Sequence, residues 1–135
     1  MIKRLLIIIC LFLITSCSVN KKDLYKLTVN EEEIIVGYSK QEAIFNTFEE
    51  IEFDEKGIVS KITIYPKDYN TPVLINDIEL DSSISNIISL FEGYESNGAG
   101  VIEKKVHGKI NRIILYNNIL NDDLDELDHI TITFE

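Results

Sequence analysis

From His129 to Glu135 the chain alternates strictly, with Ile130, Ile132 and Phe134 on one side and His129, Thr131, Thr133 and Glu135 on the other. A period of two predicts a strand with one buried face. Shorter extended runs come earlier. Leu24 to Val29 and Glu33 to Tyr38 flank a turn at Asn30-Glu31. A strand ending at Phe53 and another from Ile58 to Tyr65 flank the turn Asp54-Glu55-Lys56-Gly57, where glycine supplies a positive φ. Val73 to Leu80 reads as extended with a tight turn or kink at Asn76-Asp77, and VIEKKV and KINRIILY form a hairpin over His107-Gly108. Helical spacing occurs at Ile84, Ile87, Ile88 and Phe91, with Asp81 or Ser82 as cap and Gly93 as terminator. Ser39-Lys40-Gln41-Glu42 matches a capping box, and Ile44, Phe48 and Ile51 continue at helical spacing. The same stretch also fits a strand, so residues 39–49 keep both readings. Pro66 to Pro72, Glu95 to Gly100 and the acidic run Asn117 to Asp128 connect these elements as loops.

Six or seven short, mostly hairpin-linked strands with one or two helices predict an α+β domain, an antiparallel sheet with helix on one face. Residues 24–135 suffice for one such domain. Both halves follow a strand–helix–hairpin order, ending KITIY and HITITF, without enough identity to define a duplication.

The N-terminus breaks the pattern. Leu5 to Ile14 is an uninterrupted apolar run of ten residues, which as a helix rises only about 15 Å against the roughly 30 Å of a bilayer core. With Lys3 and Arg4 before it and small residues after it, the run reads as a secretory signal peptide and not as a buried core helix. Its ending, Ile14-Thr15-Ser16-Cys17, resembles the lipobox of bacterial lipoproteins. That resemblance implies transfer of a diacylglyceryl group to the Cys17 thiol and cleavage between Ser16 and Cys17 by the lipoprotein signal peptidase. Ile14, Thr15 and Ser16 would be the peptidase recognition residues. Residues 1–16, Cys10 included, would be removed, and 17–23 would form a lipidated N-terminus and short tether. Two or more acyl chains give stable anchoring. The expected place is the extracytoplasmic side of the cell envelope. Ser18 carries no charge, which favours the outer membrane in a Gram-negative cell; in a Gram-positive cell the site is the outer leaflet of the plasma membrane.

Charge narrows the partners. The chain has 23 acidic and 13 basic residues; without Lys3 and Arg4 the basic count is 11 and the formal charge −12. Nucleic acid is thereby excluded, since its phosphates are repelled. A basic protein partner suits such a body. No cysteine follows Cys17, so stability must come from apolar packing and not from an intramolecular disulfide.

Candidate chemistry is sparse. Gly98-Ala99-Gly100 lacks the third glycine and the preceding strand of a dinucleotide-binding fingerprint. The acidic run lacks the glycine and the terminal glutamate of a calcium loop, and two histidines without cysteine do not make a structural zinc site. His107 falls in a turn and His129 on the polar face of the last strand, neither with a serine placed beside it. Paired carboxylates for glycoside hydrolysis occur in any chain this acidic, but there is no tryptophan for a sugar platform. No catalytic residue, metal or cofactor is therefore expected. Asp122, Asp123, Asp125 and Glu126 are the candidate partner-contact residues. LDSSISNIISLFEG also resembles the start of the helix in β-lactamase-inhibitor-protein-like lipoprotein domains, through Leu80, Ser82, Ser83, Ile87, Phe91 and Gly93. It departs from that pattern by lacking the leading glycine and the proline after the helix. The expected function is a membrane-tethered, non-catalytic protein-binding module. The alternative is an immunity or inhibitor protein that neutralises a secreted toxin or enzyme; an enzyme using dispersed carboxylates ranks third.

Overall fold

A computed structural model describes residues 20–91, 95, 96, 100–118, 120 and 122–135. The signal-peptide and lipobox positions, Gly93 and Asn97–Ala99 lie outside these residues. The described strands are β1 (Lys26–Val29), β2 (Glu32–Ile35), β3 (Glu50–Phe53), β4 (Val59–Ile64), β5 (Leu74–Ile75) and β6 (Ile78–Glu79). After helix α1 (Ile84–Leu90) come β7 (Glu95–Ser96), β8 (Val101–Val106), β9 (Lys109–Asn117) and β10 (Leu127–Phe134).

Turn chemistry sets the hairpins. Asn30 and Glu31 (φ 48° and 66°), Asn76 and Asp77 (51° and 65°), and His107 and Gly108 (49° and 79°) are left-handed at both central positions. Such two-residue turns carry the twist of flanking antiparallel strands, so β1–β2, β5–β6 and β8–β9 pair directly.

The strands form two antiparallel sheets, ordered β2-β1-β5-β6 and β3-β4-β10-β9-β8-β7. The structure thus corrects the single sheet of six or seven strands, while the broader expectation of antiparallel sheet plus helix holds. Period-two patterning shows which face a strand buries but not which sheet it joins. One core serves both sheets: Leu27, Val29, Ile34 and Ile75 come from the first, and Ile62, Ile113, Ile130 and Ile132 from the second. Helix α1 adds Ile87 and Phe91, whose ring meets Tyr25 edge-on at 6.3 Å.

Polar links join the second sheet to residues flanking the strands of the first. Gly37 donates its N–H to the Val59 carbonyl at 2.7 Å. Its φ of +90° and the Phe134 ring, 2.6 Å from where a Cβ would stand, leave room only for glycine. Asn111 is fully buried in β9. With its amide oriented to pair both atoms, it donates to the Thr133 carbonyl (3.3 Å) and accepts from the Tyr25 N–H (3.1 Å).

Several local expectations change. Residues 39–49 are neither α-helix nor strand, apart from a 3-10 turn at Gln41–Ala43. The capping box does not close, because the Ser39 hydroxyl accepts the Ile35 N–H (2.8 Å). Further on, the Glu32 carboxylate takes the N–H groups of Phe45 and Asn46. The cap of α1 is Ser83, not Asp81 or Ser82. Glu95 and Ser96, expected in a loop, pair with β8. Lys21–Asp23, read as tether, form a capped 3-10 turn. In β10, Thr131 and Thr133 are buried as well as the apolar set, because β4 and β9 flank the strand on both sides.

Candidate interaction surface

The outward positions of the six-stranded sheet form rows fixed by register. Ile130 pairs with Ile64 and His129 with Tyr116, which puts Tyr65, His129 and Tyr116 side by side on one face. The imidazole stacks on Tyr116 at 4.4 Å and 11°, and lies 4.8 Å from the Tyr65 ring at 31°. The Asp128 carboxylate holds His129 Nδ1 at 2.8 Å. A bulge between Leu127 and His129 lets Asp128 and His129 meet in this way.

The next row carries Thr63 and Thr131, whose hydroxyls bond each other at 3.0 Å, with Glu50 on one side and Ile114 on the other. Beyond it Lys61 pairs with Glu52 (3.0 Å) and Arg112 with Glu103 (2.6 Å), with Thr133 between them. The Thr133 hydroxyl is buried without a hydrogen-bond partner among the described residues. A shallow depression of about 430 Å³ lies over these rows, with Glu135 at its far side.

Electrostatics here follow from the pairings. Partial burial and then the Glu50 charge push the Tyr65 hydroxyl above the usual tyrosine range, so it stays protonated and donates to Glu50 (3.5 Å). The hydrogen bond to Glu52 raises the Lys61 ammonium above its ordinary value. The imidazole of His129 thus lies between the two tyrosine rings, and together they form an aromatic patch with polar handles on this face of the sheet.

The acidic segment divides. Asp125 accepts from the hydroxyls of Ser83 and Ser85 and from the Ser85 N–H (2.8 Å), while its carbonyl accepts the Ile84 N–H (2.8 Å). It thereby closes the first turn of α1, and the Ser83 and then Ser85 bonds hold its carboxyl below the usual range. Glu126 pairs with Lys67. Asp122 and Asp123 remain exposed, with Asp123 also accepting the Asp125 N–H (3.0 Å). Of the four acidic contact candidates, two are thus engaged with the domain and two face solvent.

His107 occupies the β8–β9 turn, at the opposite end of the sheet from His129. Gly100 is fixed by its carbonyl accepting the Leu115 N–H (2.7 Å). The aromatic–threonine face escaped sequence reasoning, since Tyr65, Tyr116 and His129 lie far apart in the chain. Alternation placed His129 on the polar face of its strand, and only register brings Tyr65 and Tyr116 beside it.

Among the described residues, no group of three or more His, Cys, Asp or Glu side chains is gathered to hold a metal. No described helix is long and apolar enough to cross a membrane. No protein-family model matches the chain, and comparisons with curated proteins and with solved structures find no match.

Proposed function

We propose that this chain is a lipid-anchored extracytoplasmic protein whose folded domain is a non-catalytic module for binding another protein. The Ile14-Thr15-Ser16-Cys17 sequence is the observation that carries the reading, through its resemblance to a lipobox. The ordered face around Tyr65, His129 and Tyr116 supports the binding half: its geometry is set by sheet register and needs no ligand to form.

The test has two arms. Cys17→Ser should abolish acyl labelling and release the protein from membranes; persistence of both refutes the anchor. A photocrosslinking residue at Tyr116 should give an adduct of one defined mass in intact cells, while one at exposed Glu79 on the other sheet should not. Identical adducts from both positions, or none, would refute this face as the contact.

The formal charge of −12 supports a narrower reading, an immunity or inhibitor protein for a basic secreted toxin or enzyme. Asp122→Lys with Asp123→Lys should then abolish protection in a toxin challenge, whereas undiminished protection rejects it.

A further inference from the structure

From Asn20 onward the chain is built into the domain. The Asn20 side chain accepts the Lys22 N–H (3.1 Å), its carbonyl accepts the Asp23 N–H (2.9 Å), and Leu24 is buried. The Asp23 carboxylate lies 3.8 Å from Lys104 in β8, whose register partner is Asn111. This corner therefore sits beside the half of the sheet nearer the β8–β9 turn.

Four Cα steps separate Cys17 from Lys21, a span of at most about 14 Å. Lys21 and Lys22 are both exposed, and neither makes a side-chain ion pair among the described residues. Lys26, which lines a shallow depression together with Lys21 and Lys22, is already paired with Asp77 (2.7 Å) and Glu33 (3.4 Å). At the opposite end of β9 and β10, the connecting segment carries Asp122, Asp123, Asp125, Glu126 and Asp128, of which Glu126 pairs with Lys67. Asn111 to Asn117 is six residue steps of strand, so that end lies about 20 Å farther along the sheet.

Resting on the lipid-anchor reading of Cys17, we infer that Lys21 and Lys22 lie against anionic lipid headgroups and hold the domain with its acidic end away from the bilayer. Both forces act the same way: the lysines are attracted and the acidic end is repelled. An anionic surface favours each nearby lysine by about fivefold, hence about twenty-five-fold for the pair, within a screening length of about 8–10 Å. The acidic end, with the exposed residues Asp122 and Asp123, would then face outward.

The experiment uses the full-length chain, lipidated in its host and reconstituted into phosphatidylcholine vesicles with or without phosphatidylglycerol. Leu124, exposed at the acidic end, is replaced by cysteine. This is the sole free thiol once Cys10 is cleaved and Cys17 acylated, and it carries a donor dye read against acceptor-labelled lipid. Phosphatidylglycerol should lower energy transfer from this dye. Lys21→Gln with Lys22→Gln, or high salt, should remove most of that decrease. Transfer indifferent to phosphatidylglycerol, or an unchanged response in the double variant, overturns the orientation while leaving an acylated Cys17 intact. A Cys17 peptide without lipid mass, in protein that washes off the vesicles, overturns the anchor and the orientation together.

Discussion

Replacing Asn111 by leucine tests the polar link between the two sheets. The side chain is fully buried, and its amide serves the Tyr25 N–H at 3.1 Å and the Thr133 carbonyl at 3.3 Å. Leucine has similar volume and adds apolar burial, so a measured loss reports the backbone groups deprived of their partner. Stranding a buried donor costs about 1–3 kcal/mol and the acceptor adds to it, which gives a net loss of about 2–4 kcal/mol. Thermal unfolding should shift down by roughly 8–15 °C. Urea denaturation followed by circular dichroism should show a lower midpoint with unchanged slope. Asn111→Asp sharpens the test. A carboxylate can accept from Tyr25 but repels the Thr133 carbonyl, and burial raises its pKa above the unfolded value of about 3.9. Its penalty should therefore be full above the raised pKa and shrink as pH falls toward the unfolded one. A leucine variant within about 0.5 kcal/mol of the parent would refute the inter-sheet role.

Other consequences follow from particular contacts. Gly37→Ala combines a left-handed φ with a clash on the Phe134 ring, whereas Gly57→Ala, at φ +73°, meets nothing within 4 Å. The first should lose about 1–3 kcal/mol more than the second in chemical denaturation; equal losses would refute the close approach. Thr131→Val alone strands the Thr63 hydroxyl and should cost about 1–2 kcal/mol, while the double change with Thr63→Val should recover most of it. A double-mutant cycle with no coupling would deny that bond. Asp125 is held below the usual carboxylate range by Ser83 and Ser85, and Asp54 by the Ile58 and Lys56 N–H groups. Depressed carboxyls contribute stability above the unfolded value of about 3.9 that is lost as pH falls through their folded values. Acid denaturation of the Asp125→Asn variant should start from a lower stability and fall less steeply; a parallel curve would refute the assignment.

The local code of this chain is legible because each signal involves residues a few positions apart. Asn30-Glu31 and His107-Gly108 announce hairpins, and Asn76-Asp77 a tight turn or kink, through turn chemistry alone. Ile84, Ile87, Ile88 and Phe91 announce a helix by periodicity. Where two local signals compete, the tertiary structure chooses. The Ser39 capping box yields because the β2 backbone takes its hydroxyl, and the Glu32 carboxylate captures the N–H groups that follow. Likewise Asp125, read as surface charge, is recruited by a helix start some forty residues away in the chain.

By itself the sequence determined the apolar face of the last strand, the turns, the helix stripe, the acidity and a lipobox-like segment, since each depends on composition or short spacing. Only the tertiary structure decided that the strands divide into two sheets, that Gly37 and Asn111 link them, and that Tyr65, His129 and Tyr116 stack on one face. Those outcomes depend on register between segments distant in the chain. Register is set by how the whole apolar core closes, which no short window of residues contains.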